Sequence, residues 1–330
     1  MLHVTQAPTR PRRHLGGMVP PGELLPDVLP TDRLFENAKA RPPIREELRR
    51  VRNLRSAVAV ASMYLQVAVV LVGAVTVAHP LGYAVAFVLC GRTIVQCNTL
   101  AHEAVHRTLF SNRTVNDVVG KWLLSCPAFV PFELYRRGHI AHHRDEMGPE
   151  EPDVPLYARY PITPASLRRK LMRDALGITG FTLLRGLFRG LRRARTRPAA
   201  ARIIGTQVVL VALATVVGRP ELYLLWIVPY LTQWRVTNRL RAIAEHGGME
   251  RNRDRRATTH VVRQTPIARF LMVPYNIGLH IEHHVDMGIP CWNLPAMHRE
   301  LRASGWVPDV LVYPNYRSLW RKLASAEATA

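Results

Sequence analysis

Between Ser56 and Ala78 the chain carries no charged residue. These 23 residues would extend about 34 Å as a helix, enough to cross the roughly 30 Å hydrocarbon core of a bilayer. This run, more than any other feature, limits what the chain can fold into. His79, Pro80 and Gly82 then interrupt it, and a second apolar run, Tyr83 to Leu100, returns. Counted from Gly82, a returning helix would carry His102 about 30 Å back, to the face from which the chain set out.

A second pair of apolar runs, Ile203 to Val217 and Leu222 to Trp234, is split by Gly218-Arg219-Pro220, a sequence suited to a tight turn. Both runs are short. They reach spanning length only if Ala199 to Ala201 extend the first and the second continues past Arg235 toward His246, about 36 Å beyond Leu222. The expected architecture is all-α and integral to the membrane, with four transmembrane helices (56–78, 82–101, 199–217, 221–240) in two hairpins under a histidine-rich cytoplasmic cap.

Charge sets the expected orientation. Lys and Arg number 45 against 24 Asp and Glu, a net of 45 − 24 = +21. Residues 166 to 202 alone hold eleven Arg or Lys and one acid, Asp174, whereas the two hairpin tips offer only Arg219. By the positive-inside tendency both termini and all long loops face the cytoplasm, making a multi-pass protein. In the basic segment, Leu167, Leu171, Leu176, Ile178, Phe181, Leu184, Leu187, Phe188 and Leu191 interleave with Arg, as in a helix lying on anionic lipid. Nucleic acid is not the expected partner, because no stacking platform or recognition helix accompanies the charge.

Residues 1–33 are Pro-rich and lack the apolar core of a signal peptide, so they read as a flexible tail before a membrane domain over 34–330. Arg92 falls near mid-bilayer. It must either face a polar cavity, where it could meet a polar group on a substrate, or bond backbone carbonyls of a neighbouring helix.

Nine of the fourteen histidines fall into four groups: His102 and His106 in HEAVH, then His139, His142 and His143, then His246, and finally His280, His283 and His284. At a frequency of about 0.042, an H-x-x-H-H pattern is expected about 0.025 times in such a chain, and two occur. So many imidazoles exceed what one closed tetrahedral ion needs, which implies two metals. The four Cys form no C-x-x-C pair, and a nitrogen-rich shell without thiolate favours iron and oxygen chemistry. HEAVH also matches a zinc protease, with Glu103 as base, but that reading leaves both H-x-x-H-H groups without a role.

The sequence resembles the membrane fatty acid desaturase and hydroxylase superfamily. Its three histidine boxes correspond to HEAVH at 102–106, HIAHH at 139–143 and HIEHH at 280–284, in the family's order and with the third beyond a second hairpin. Glu151-Pro152-Asp153, Arg241 to His246 and Asn276 are similar flanking text. The resemblance covers about residues 56–305. It implies a di-iron centre on His102, His106, His139, His142, His143, His246, His280, His283 and His284. It implies O2-dependent insertion of a double bond into a fatty acyl chain, with hydroxylation as the alternative.

Metal-bound imidazoles usually donate their second N–H to a carboxylate or carbonyl. Glu103, Asp145, Asp153, Glu245 and Glu282 are within reach by sequence, and Asn276 precedes the third box. With neither a haem-binding H-P-G-G nor a G-x-G-x-x-G motif, electrons are expected from an external ferredoxin or small cytochrome with an NAD(P)H reductase. The expected substrate is an acyl-lipid or acyl-thioester reached from the membrane lipids.

Overall fold

A computed structural model describes residues 15–149, 151 and 153–327. It is mostly helical. The only sheet among the described residues is a parallel pairing of β1 (Val261–Val262) with β2 (Val312–Tyr313).

The first apolar run forms α1 (Asn53–Val77) and the second α2 (Pro80–His106). The turn between them is built locally. Ala78 takes a left-handed conformation (φ 46°), His79 Nδ1 accepts the Leu81 N–H at 3.2 Å, and Pro80 begins the next helix, where its missing donor costs nothing. Leu65, Val69 and Val72 of α1 face outward, whereas α2 is buried over most of Gly91 to Val105 and packs most heavily against α1 and the segment Leu224–Leu231. After α2 a short helix continues into a π-helical turn, Val119–Ser125, pressed against α2 through Gly120, whose Cβ would strike Ala104. Next comes α3 (Phe132–Arg144), with its C-terminal half turned toward the end of α2.

The basic segment forms α4 (Pro164–Ala175) and α5 (Ile178–Gly190), divided at Gly177 (φ 74°). Leu176, Phe181 and Phe188 stand exposed among the arginines. Then α6 (Arg197–Val216) rises, with Val208, Leu213 and Val216 outward, and Gly218 (φ 73°) turns the chain.

The fourth expected span, 221–240, is not one helix. It divides into α7 (Leu224–Leu231) and α8 (Gln233–His246) at Thr232, whose φ −118° and ψ −81° leave helical geometry. Pro229 removes a donor just before the break. Two glycines hold it in place: Gly180 lies against the Leu231 carbonyl and Gly91 against the Gln233 side chain, which donates to Val88 O at 3.1 Å. Among the described residues three helices, α1, α2 and α6, are therefore long and apolar enough to cross a membrane.

The remaining chain covers the helix ends with α9 (His280–Val285), α10 (Leu294–Ala303) and α11 (Tyr316–Leu323). Leu34, Ala38, Ala40 and Leu48 pack with Ile281, Ile289 and Leu294, and buried Asp286 accepts from Arg45 at 3.1 Å and Arg49 at 2.6 Å. Of the expected tail, residues 1–14 lie outside the described residues. Residues 15–33 run over the protein surface: Gly16 and Met18 N–H donate to the carbonyls of Met249 and Gly248, and Met18 is buried beside Tyr157 and Tyr160.

Arg92 bonds the Phe270 carbonyl at 2.8 Å, Gln96 at 2.9 Å and Gln66 at 2.5 Å, and stacks over the Phe270 ring. Its charge is thus compensated by protein, the second of the two possibilities that the sequence left open.

Candidate metal centre

Each histidine group sits at the C-terminal end of a helix. His102 and His106 occupy the last turns of α2, His139, His142 and His143 those of α3, His246 ends α8, and His283 and His284 end α9. Spacing of three or four residues turns the side chains of each group to one face. Four helix ends aim their unpaired carbonyls at one region, where the macrodipoles favour positive charge by about 0.3–1 kcal/mol each.

The nine rings gather in one cluster whose nitrogens fall into two main groups, joined where His143 and His284 come within reach of Glu146. One nitrogen from each of His102, His106, His139, His143 and His283 lies within 4.8 Å of the others, and the same holds for His142, His246 and His284. His280 completes the second group, its Nε2 lying 3.0 Å from Nε2 of both His246 and His284. In the first, His139 Nε2 is 2.8 Å from His102 Nε2 and 3.1 Å from His143 Nε2. Ligands at metal–nitrogen distances of about 2.1 Å and right angles sit about 3.0 Å apart, so these spacings suit a shared ion.

The chemistry of the donors fits as well. Both ring nitrogens of His106 and of His283 are buried without a hydrogen-bond partner. A buried polar atom left so costs about 1–3 kcal/mol, a cost that a bound cation removes. Burial, reinforced by the neighbouring imidazoles, holds His143, His283 and His284 well below the usual histidine range. Neutral imidazole is the metal-binding form. Burial also opposes charge on His142, but the Glu151 carboxylate outweighs it and raises that group.

The outer ring of contacts differs from the sequence expectation. His142 Nδ1 pairs with Glu151 at 2.5 Å, His284 Nδ1 with Glu146, and His246 Nδ1 donates to the Thr258 carbonyl at 2.8 Å. The sequence suggests neither Glu146 nor Thr258 as partners, and of the Glu-Pro-Asp text it suggests Asp153 rather than Glu151. Their sequence signal is slight: two acids just beyond the second box, Glu151 reaching back to α3 and Glu146 across to α9.

Asp145 faces outward to Arg251 at 2.6 Å. Glu282 takes the His298 ring at 2.6 Å, a histidine that sequence spacing left without a role. Glu103 and Glu245 approach His102 and His280 only to 3.7 and 3.9 Å, beyond hydrogen-bonding reach. Glu103 instead accepts from Thr108 and from the Cys291 N–H, both at 2.9 Å, which leaves it committed to the protein rather than available as a protease base. Asn276 donates to the Cys291 carbonyl at 3.2 Å, and Asp153 lines the cavity beside the histidines.

A histidine-rich cluster that could hold metal, beside helices long and apolar enough to cross a membrane, is the arrangement of a metal-dependent membrane enzyme. Residues 78–314 match the family described as fatty acid desaturase, and the chain belongs to that family. Among curated proteins it is similar to dihydrorhizobitoxine desaturase of Bradyrhizobium elkanii, 25% identical over 260 residues that cover 73% of this chain and 74% of the relative.

Proposed function

We propose that the protein is an O2-dependent, di-iron membrane oxidoreductase that introduces a carbon–carbon double bond. The observation that carries this reading is the convergence of nine imidazoles in two groups. His102, His106, His139, His143 and His283 would hold one ion, and His142, His246, His280 and His284 the other. When bound, the iron pair supplies the oxidising power to take hydrogen from an unactivated C–H bond, which side chains lack.

In the balanced reaction the substrate gives up two hydrogens from adjacent carbons, an external donor gives two electrons, two protons are taken up, and O2 leaves as two waters. The protein's own groups prepare the centre. Glu151, Glu146 and the Thr258 carbonyl hold the Nδ1 side of His142, His284 and His246, directing each Nε2 inward. Buried α2 and the covering segments keep bulk water away.

Family membership implies a lipid or acyl substrate, either an acyl-lipid or an acyl-thioester. The helix-length arithmetic and the distribution of Arg support four membrane passes in two hairpins, with the centre and both termini on the cytoplasmic side. That basic face suits an acidic ferredoxin or small cytochrome with its NAD(P)H reductase.

Metal analysis followed by turnover with a compatible reductase and host metabolites tests the reading. Two irons and a product lacking two hydrogens are expected. Gain of one oxygen from O2 with no net loss of hydrogen, one C–H having become C–OH, would make the protein a hydroxylase on the same centre. A single zinc, with activity surviving His283→Ala, would refute the proposal.

A further inference from the structure

Away from the histidines, an apolar groove runs between α5 and α6 and ends at a turn crowded with arginine. The two helices meet at that turn, where a Cβ on Gly190 would lie 3.4 Å from the Cβ of Ala200. Thr196 Oγ1 donates to the Gly190 carbonyl at 2.8 Å and closes it. Further along, the helices leave a cavity of about 360 Å³, walled by Leu184 and Leu187 of α5, Ile204 and Val211 of α6, and Phe129 and Ile227. Phe188 and Val208 also line it and are exposed, so the groove opens outward there. Its two polar wall residues are committed to protein: Gln207 Nε2 donates to the Cys126 carbonyl at 2.9 Å, and the Tyr223 hydroxyl donates to Gln207 Oε1 at 3.1 Å. The groove therefore offers an occupant apolar contact and no free hydrogen-bonding group.

Its end is charged. Arg185 and Arg189 belong to α5, and Arg192, Arg193, Arg195 and Arg197 follow within the turn and the start of α6. No acid occurs between Asp174 and Glu221. Asp174 is held by Arg239, and Glu133, at the start of α3, by Lys121 and Arg202. Among the described residues, none of those six arginines forms an ion pair. Neighbouring guanidiniums repel one another, and a bound anion relieves that repulsion. Arg197 precedes Ile204 by seven residues of α6, about 10 Å along the axis, so the cations stand just beyond the apolar walls.

We propose that this groove binds an anionic phospholipid, one that the protein keeps rather than converts. An acyl chain lies between α5 and α6, and the arginines of the turn grip the phosphate, which guanidinium matches in a bidentate way. None of the nine histidines lines the groove, which places its occupant apart from the reacting centre. A zwitterionic headgroup would bring a cation of its own among the arginines. A soluble acidic protein could cover the arginines but would leave Leu176, Phe181 and Phe188 beside it in water.

The full chain, purified in detergent, is titrated with dioleoyl-phosphatidylglycerol or dioleoyl-phosphatidylcholine, and retained lipid is counted by native mass spectrometry. Phosphatidylglycerol should be held about tenfold or more tightly than phosphatidylcholine. Arg192→Gln, Arg193→Gln and Arg197→Gln together, all at exposed positions, should remove one retained phosphatidylglycerol and most of that preference. Val208→Trp, which fills the mouth without changing charge, should remove the same lipid. Equal retention of the two lipids, a preference that survives the arginine substitutions, or indifference to Val208→Trp overturns the proposal. Displacement of the lipid by an acidic ferredoxin also overturns it and gives the arginines to an electron donor. So does turnover in which the retained lipid itself acquires a double bond, since the groove would then be a substrate site.

Discussion

The two histidine groups are built to different standards. In the group of His142, His246, His280 and His284, three rings have their outer nitrogen fixed by Glu151, Thr258 or Glu146. In the group of His102, His106, His139, His143 and His283, the Nδ1 atoms of His102, His106, His143 and His283 have no partner at all. Ring centroids are mostly under 5 Å apart in both sets, so one is oriented by hydrogen bonds from outside as well as by crowding, the other by crowding alone. Orientation by hydrogen bond survives loss of the ion, whereas orientation by crowding and ligation does not. The second group should therefore keep its shape when metal is withdrawn, and the first should relax.

The largest effect expected is from His283→Ala. It removes a ring that touches His102, His106 and His143, and turnover should fall to background while the protein stays in the membrane. Assay and membrane fractionation together check this outcome. Next, Glu151→Gln and Glu146→Gln should each lower affinity for one ion by about 10- to 100-fold and leave the other unchanged. Metal content measured against graded chelator would then show only one of two release steps displaced. Equal displacement of both steps would erase the distinction between the groups.

Glu282→Gln weakens the contact with His298 on α10 and touches no histidine of the cluster. About twofold less activity is expected, with thermal stability lowered by roughly 1 kcal/mol, read from a melting curve. Smallest of all, Asp145→Asn should leave metal content and turnover within scatter, because its partner, Arg251, is a surface residue and such pairs contribute about 0–1 kcal/mol.

The gathering of the histidines was legible in the sequence, because helical spacing turns i, i+3 and i+4 side chains to one face. The three long spans were legible for a similar reason: apolar length is a one-dimensional property. Glu146 and Glu151 were harder to place, since their partners lie on two different helices, α9 and α3, and neighbouring Asp145 and Asp153 looked as suitable. Thr258 was invisible, because a backbone carbonyl has no signature in sequence. Residues 15–19 were read as part of a tail from their proline-rich surroundings, although backbone pairing with Gly248 and Met249 asks nothing of side chains.

The break at Thr232 bears on the order in which the protein is made. Nascent segments are admitted to a membrane by apolar length, and α7, with eight residues followed by Arg235, Arg239 and Arg241, would be rejected on its own. It needs a berth already present, the notches left by Gly91 and Gly180 on elements synthesised earlier. His246 and the third box leave the ribosome later still. Iron loading should thus be a finishing step, and a chain stalled between Gly247 and Leu279 should already hold its membrane-length helices in the bilayer yet retain neither metal ion after affinity purification.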